Sequence, residues 1–259
     1  MHVAVCVKQI PDAANPPALD PQDHTLVREG KLVMDESDSY GVETGLQLVE
    51  ACGGGEVSLV SMAPNGETSG LRTALAVGAV RAILVSDPVL GGSDALGTAR
   101  VLAAAIRRLS PDLVLAGTES TDGYTGTTPV QVAELLGWPS VSFAKHIEIS
   151  EGLLRVQRQT ELGYEEVTCP LPAVVTVTAG GIDLRYPSFK GLATAKSKPV
   201  EEVTVADLGL DPSQVGGAGA RQQVVSVEAV EARKAGEIVV DQGEAHERVL
   251  SFLERLKVL

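Results

Sequence analysis

Apolar and polar positions along this chain fall into blocks of two kinds. Val3 to Val7, Val57 to Met62, Arg81 to Ser86 and Asp112 to Gly117 are short apolar runs, too brief for typical helices, and read as buried strands. Stretches with helical spacing lie between them. A helix from about Tyr40 to Ala51 carries Val42, Leu46 and Val49 on one stripe and stops at Gly53 to Gly55. Another from Thr68 to Gly78 groups Leu71, Ala74 and Leu75. A third, from Ser93 to about Leu109, groups Leu96, Leu102, Ala103 and Ile106. Strands and helices alternating at these lengths predict an α/β fold with a mostly parallel sheet flanked by helices on both faces. Ligands in such sheets bind beyond the carboxyl ends of the strands, where the loops Lys8–Asp12, Met62–Gly66 and Gly117–Thr128 are expected to converge.

The stretch Asp112 to Pro139, DLVLAGTESTDGYTGTTPVQVAELLGWP, is the centre of that pattern. A strand runs into a loop of Gly, Thr, Ser and Asp, and the loop runs into a helix. Thr128 is a suitable N-cap, Pro129 suits the first helical position, and Gln131 stands at the capping-box spacing, while Gly137 and Pro139 stop the helix. Free N–H groups and a positive dipole end at such a junction make an anion site, most often for phosphate. An ordinary βα turn draws on the same residue types, so both readings stand. Asp122 is open to three roles: an Asx turn shaping the loop, a ligand contact or a general base.

Beyond Trp138 the texture changes. Ser140–Ile149, Leu153–Arg158, Tyr164–Thr168 and Ala173–Thr178 alternate or run apolar with β-branched residues, predicting an antiparallel extension of the sheet. Thr25 to Met34 reads as a hairpin turning at Glu29-Gly30. Arg185 to Lys198 holds Arg185, Lys190, Lys196 and Lys198 with no acid, and Tyr186, Phe189 and Leu192 supply apolar side chains within it. A docking site for an acidic partner fits this, as does a solvated connection, which composition alone favours. Glu201 to Arg221 reads as irregular chain, and Glu244 to Leu259 as an amphipathic helix carrying Val249, Leu250, Leu253 and Leu256.

Composition narrows the function classes. The 259 residues have a net charge of −13, which argues against nucleic acid and against an anionic membrane surface as partners. No apolar run approaches the ~20 residues that span a bilayer, and the amino terminus opens as a strand, not as a signal peptide. Cys6, Cys52 and Cys169 form no CxxC, and the four histidines make no zinc spacing, so a reduced, cytoplasmic setting is expected. There is no P-loop, no GxGxxG and no GxSxG. The residues by themselves describe a nucleotide-binding α/β protein without visible catalytic machinery.

Several separated motifs then resemble the electron transfer flavoprotein β subunit family. They are Lys8 to Asp12 within V-K-Q-I-P-D; Arg72-Thr73-Ala74-Leu75-Ala76-x-Gly78-Ala79; Val156-x-Arg158; Gly163-x-Glu165; Leu171 to Thr176; Arg185-Tyr186-Pro187-Ser188; and Ala195-Lys196-x-Lys198-Pro199. The likeness spans essentially the whole chain. It implies an adenine nucleotide α-hydrolase-like fold over 1–200, with a partner-recognition loop at 183–199, and a 201–259 extension that packs on the α subunit. It further implies an αβ heterodimer whose FAD sits mainly on the α subunit. Such a dimer takes electrons from acyl-CoA or related dehydrogenases and passes them to a quinone oxidoreductase. The β subunit itself would be an electron carrier, not an enzyme.

By the same resemblance the β subunit buries a structural AMP, or a second FAD in electron-bifurcating members. Its contacts would come from Cys6, Asp35, Ser37, Asp38, Met62, Asp122, Gly123, Thr125, Gly126, Thr127, Thr128, Val130 and Gln131. Arg185, Tyr186, Phe189, Lys190, Leu192, Lys196 and Lys198 would form the recognition surface, with Phe189 where the family's anchor is usually Leu. The chain departs from the family pattern at Pro129-Val130 in place of Gly-Gln, at Asp35-Glu36-Ser37 in place of Asn-Pro-Phe, at Ala13 where some members have Tyr, and at Gln159 where some have Glu. A bifurcating oxidoreductase component and a stand-alone adenine-nucleotide protein are the rival expectations.

Overall fold

The computed structural model describes residues 1–259 apart from 13, 15–17, 23, 29, 64, 151, 229–235, 237 and 259. The short apolar runs become strands β1 (His2–Cys6), β2 (Gln9–Pro11), β3 (Leu32–Met34), β4 (Glu56–Met62), β5 (Arg81–Val85), β6 (Leu113–Gly117), β7 (Ser140–Ser150), β8 (Leu153–Thr160), β9 (Gly163–Pro170), β10 (Ala173–Val177) and β11 (Val200–Val203). The helices are α1 (Glu36–Ala51), α2 (Ser69–Val77), α3 (Ala95–Leu109), α4 (Thr128–Leu136), α5 (Phe189–Ala195), α6 (Gly216–Gly219) and α7 (Ala245–Arg255). Nine strands form one sheet in the order β11-β5-β4-β1-β6-β10-β7-β8-β9. Pairing is parallel from β11 through β7 and antiparallel across β7, β8 and β9.

Alternate residues of each central strand face opposite sides of the sheet, so two cores form. Val3, Val5, Leu59, Leu84, Leu115 and Val175 pack under α1 and α2 with Val42, Leu46, Leu71 and Leu75. Ala4, Val60, Ile83, Val114 and Val174 pack under α3 and α4 with Leu102, Ile106 and Val132. Strands buried on both faces need continuous apolar runs, which is the pattern the sequence carries.

Four expectations shift. Ala173–Val177 does not extend the antiparallel ribbon; it inserts between β6 and β7, parallel to both. Leu32–Met34 pairs antiparallel with Gln9–Pro11, not with the Thr25 side of its own segment; Glu29, at the expected turn, lies outside the described residues. Helix α1 starts at Glu36 because Asp35 caps it, and its acidic first turn suits the positive end of the dipole. Glu201 to Val203, within the stretch expected as irregular chain, belongs instead to the edge strand Val200–Val203 beside β5.

Met1–Val224 forms one compact unit. Val225–Leu259 is a second, in which α7 exposes Val249, Leu250, Phe252 and Leu256, with the Arg255 guanidinium 5.5 Å from the Phe252 ring centroid.

Candidate functional site

The sheet reverses its winding at β1. The chain moves from β1 to β4 and β5 on one side and then returns to place β6 on the other. Loops leaving β1 and β6 therefore part company at their carboxyl ends, which is where doubly wound sheets bind ligands. The amino terminus of α1 lies against the same edge. Asp35 caps it through Oδ1, which accepts from the Ser37 N–H at 3.0 Å. Its Oδ2 accepts from the Thr121 N–H at 2.8 Å and from the Thr121 hydroxyl at 3.1 Å. Asp38 accepts from the Lys8 N–H at 2.6 Å and from the Gly117 N–H at 3.3 Å. Two buried carboxylates on one helical turn thus stitch together the ends of β1 and β6 and the loop that follows β6.

Burial pushes the Asp38 carboxyl up to about 7, and the nearby Asp35 charge adds to this against the pull of the two N–H donors. Burial, with Asp38 beside it, also pushes the Cys6 thiol up to about 12, although some of its surface stays accessible at the strand end. A thiol held this high stays protonated near neutral pH.

Asp122 acquires a definite role. Its carboxylate meets the Lys8 ammonium at 2.5 Å and the Arg28 guanidinium at 2.6 Å. Burial opposes ionisation here, but the hydrogen bonds and charges of Lys8 and Arg28 prevail and hold the carboxyl below its ordinary value. A carboxylate this stabilised is a poor general base. Lys8 also donates to the Ser120 hydroxyl at 3.1 Å, and Arg28 to the Gln9 carbonyl at 3.1 Å. Two cations share this one anion, with Asp35, Asp38 and Glu119 close by.

Helix α4 begins five residues after Gly123, whose Cβ position lies 3.7 Å from the Lys8 ammonium. Its N-cap is Thr127, not Thr128, and no side chain caps the first turn. The expected capping box does not form. Gln131 reaches the Thr127 hydroxyl at 3.3 Å through Nε2, while its Oε1 is buried without a partner. The first-turn amides lack a side-chain acceptor, and Pro129 supplies none. Small residues keep the approach open. A Cβ at Gly123 would stand 3.7 Å from the Lys8 ammonium and 3.8 Å from the Thr125 hydroxyl, and Gly126 takes a φ of +67°. Met62 ends β4 at the same sheet edge, Ser37 lies in the first turn of α1, and Val130 is exposed on α4.

The structure therefore joins Asp35, Asp38 and Asp122 through bonds to Lys8, Gly117 and Thr121, with Cys6 at the end of β1 and Gly123 beside the Lys8 ammonium, and Thr125 to Gln131 follow along the chain. Lys8, Arg28 and Thr121 were not among the expected site residues. A lysine directly after an apolar strand was a usable signal for the first. Arg28 had none, because its partner lies 94 residues away in sequence.

Arg185 to Lys198 adopts a definite shape as well. Ser188 caps α5, accepting from the Gly191 N–H at 3.0 Å. Phe189 and Tyr186 are 94% and 92% exposed, and Leu192 is exposed beside them. Arg185 turns inward, with Nε 2.8 Å from Glu43 Oε2 and Nη1 2.7 Å from Glu50 Oε1. Those hydrogen bonds hold its guanidinium above its ordinary value. The Lys198 ammonium donates to the Leu75 and Ala79 carbonyls, both at 2.7 Å, and burial lowers its proton affinity. Lys190 and Lys196 are exposed, with no ion pair among the described residues.

Among the described residues no group of His, Cys, Asp or Glu is placed to hold a metal ion, and no helix is long and apolar enough to cross a membrane.

Comparison with known proteins identifies the family. The electron transfer flavoprotein domain matches residues 23–208. A protein of Mycobacterium tuberculosis named electron transfer flavoprotein subunit beta is 35% identical over 264 residues, covering 100% of this chain and 99% of its own length. The protein of that name from Thermoanaerobacterium thermosaccharolyticum is also 35% identical, over 99% of this chain and 98% of itself. The caffeyl-CoA reductase-Etf complex subunit CarD of Acetobacterium woodii is 34% identical over 92% of each chain. With full-length relatives at this identity and a domain match over most of the chain, the protein belongs to the electron transfer flavoprotein β subunit family, a family of electron-carrier subunits.

Proposed function

We propose that this chain is the β subunit of a heterodimeric electron transfer flavoprotein and holds a structural AMP at the carboxyl edge of β1 and β6. The observation that supports this best is the coincidence of an uncapped helix start with two cations that share one carboxylate. That donor set suits a nucleotide phosphate: the amides of the first α4 turn and the Thr127 and Thr128 hydroxyls donate, and Lys8 and Arg28 supply charge. Asp122 keeps both cations in place until the phosphate arrives. Asp35 and Asp38 fix the distance between the β1 end, the β6 end and the loop, so the site needs little rearrangement on binding.

In this reading FAD is carried mainly by an α subunit and supplies the redox chemistry by accepting and releasing electrons. The β chain has no chemistry of its own. Tyr186, Phe189 and Leu192, with Lys190 and Lys196 at their margin, dock an acidic, partly apolar surface of an acyl-CoA or related dehydrogenase, and a quinone oxidoreductase receives the electrons. The carboxyl-terminal extension, expected at 201–259, packs on the α subunit through the apolar face of α7. The complex works in the cytoplasm, without membrane insertion and without nucleic acid.

A second reading has its own observations. Ser37 offers no aromatic ring to a flavin, Pro129 changes the family's helix start, and one relative carries the name of a caffeyl-CoA reductase-Etf complex subunit. In that reading the β site holds a second FAD and the complex bifurcates electrons. Mass spectrometry of small molecules released from the denatured complex separates the two. One FAD and one AMP per dimer is the expected result, and two FAD molecules without AMP would replace the first reading with the second. A chain purified without a partner that turns over ATP would overturn both.

A further inference from the structure

The four cations of the Arg185–Lys198 segment divide by geometry into two pairs. Arg185 lies at the start of the segment and forks onto two carboxylates of α1. Glu43 and Glu50 are seven residues apart, on one face of that helix. The Glu43 side chain is 3% exposed and takes three bonds from Arg185: the backbone N–H at 3.3 Å, Nε at 2.8 Å and Nη2 at 3.0 Å. Glu50 is exposed and takes Nη1 at 2.7 Å and Nη2 at 3.2 Å. Gln47 completes the ring, donating to Glu43 at 2.7 Å.

The far end of the segment is tied to α2. Lys198 donates to two carbonyls at the end of that helix, and Arg72 of α2 donates back to the Ala195 and Lys198 carbonyls at 2.9 and 2.7 Å. Between the two ties α5 presses on α2 so closely that a Cβ at Gly191 would collide with the Ala76 carbonyl oxygen. Four of the five guanidinium N–H groups of Arg185 and two of the three ammonium N–H groups of Lys198 are committed to acceptors within the chain, so neither charge can turn toward a partner without breaking those bonds. Lys190 and Lys196 remain exposed beside Phe189 and Leu192.

We infer that Arg185 and Lys198 are positioning residues that pin the docking segment to α1 and α2, while Lys190 and Lys196 are the cations that meet the partner. The inference rests on the docking reading given above, but its structural half is testable without a partner. Pinning at both ends keeps Tyr186 and Phe189 in one place while they stand almost fully in water, where burial cannot order them. A preordered segment loses less entropy on docking, so the pins act on association and not on electron transfer within the assembled complex.

The test uses the assembled flavoprotein with an acyl-CoA dehydrogenase as electron donor, together with amide hydrogen exchange on the same complex. R185Q and E43Q are each expected to speed exchange across 186–195 and raise KM for the dehydrogenase by about tenfold, with kcat and bound flavin unchanged. Because they break the same contact, the double variant should be no worse than the worse single one. R185K keeps one carboxylate but cannot fork onto two, and should fall in between. K190Q and K196Q should raise KM and flatten its salt dependence while leaving exchange unchanged. Unchanged exchange in R185Q would overturn the inference. So would additive effects of R185Q and E43Q, or a loss of salt dependence in R185Q matching that in K190Q. If F189A and K190Q both leave KM unchanged, the docking reading fails, and the exchange data still decide whether Arg185 is a pin.

Discussion

The carboxyl edge of the sheet and the Arg185–Lys198 segment both lean on helix α1, and they are built on opposite plans. At the edge, charged groups point inward and are saturated by backbone N–H groups and by each other. Asp35 and Asp38 hold four N–H or O–H donors from β1, β6 and the loop between β6 and α4, besides the cap of α1. In the segment it is apolar side chains that are left in water, and charges are withdrawn from the surface to hold the backbone beneath them. A ligand site can be ordered by what it encloses. A docking surface has to be ordered from behind, because its face must stay bare until the partner arrives.

Asp35→Ala should produce the largest effect. It removes the α1 cap and takes a fully buried carboxylate away from the Ser37 and Thr121 N–H groups, so a loss of ~2–4 kcal/mol is expected in urea unfolding. A change within experimental error would mean that the edge is not held by this carboxylate. Gly191→Ala comes next, at ~1–3 kcal/mol, because α5 must lift from α2 to admit the methyl group. A variant of unchanged stability with normal exchange across α5 would break the claim that the segment is ordered from behind.

Asp38 adds a pH dependence. Its carboxyl is raised from 3.8 to about 7 by burial, so the folded chain holds a proton that the unfolded chain has released between those values. Stability should therefore rise as pH falls from about 8 toward 5, and this contribution should be absent in Asp38→Asn. Comparing unfolding midpoints of both proteins at the two pH values tests it, and parallel slopes would count against it. The smallest effect on stability belongs to Phe189→Ala. At 94% exposure it should unfold within about 0.5 kcal/mol of the parent while accepting electrons from the dehydrogenase less efficiently. A large loss of stability would show that the bare face is part of the core.

What the sequence made legible follows the range of the interactions. The strand–helix alternation, the buried central strands and the Gly- and Thr-rich approach to α4 depend on near neighbours, and they are in the structure as the pattern predicts. The placement of β10 between β6 and β7 was not legible, because strand pairing there joins Val174 to Val114 and Ser140, and an apolar run of five carries no address. Capping at α4 moved by one residue because Thr127 and Thr128 are chemically equivalent candidates. Within the candidate site, Asp122 stood out by type, but its role came from Lys8 and Arg28, each about a hundred residues distant. The basic island was visible as composition, and only the folded chain divides it into inward and outward charges.

The pairing of β11 with β5 carries a further consequence. To pass from β10 to β11 the chain must travel over the positions of β6, β1, β4 and β5, so the exposed segment is a strap drawn across one face of the sheet and fastened at its far edge. β11 is the cover of that edge. Four backbone positions of the apolar strand Arg81–Val85, from Ala82 to Val85, are covered on that side by Val200–Val203. Loosening the strap therefore risks more than a lost partner. It would bare a flat hydrophobic strand edge, the kind of surface that recruits other chains, so the same fastening that presents Phe189 to a partner also guards the molecule against itself.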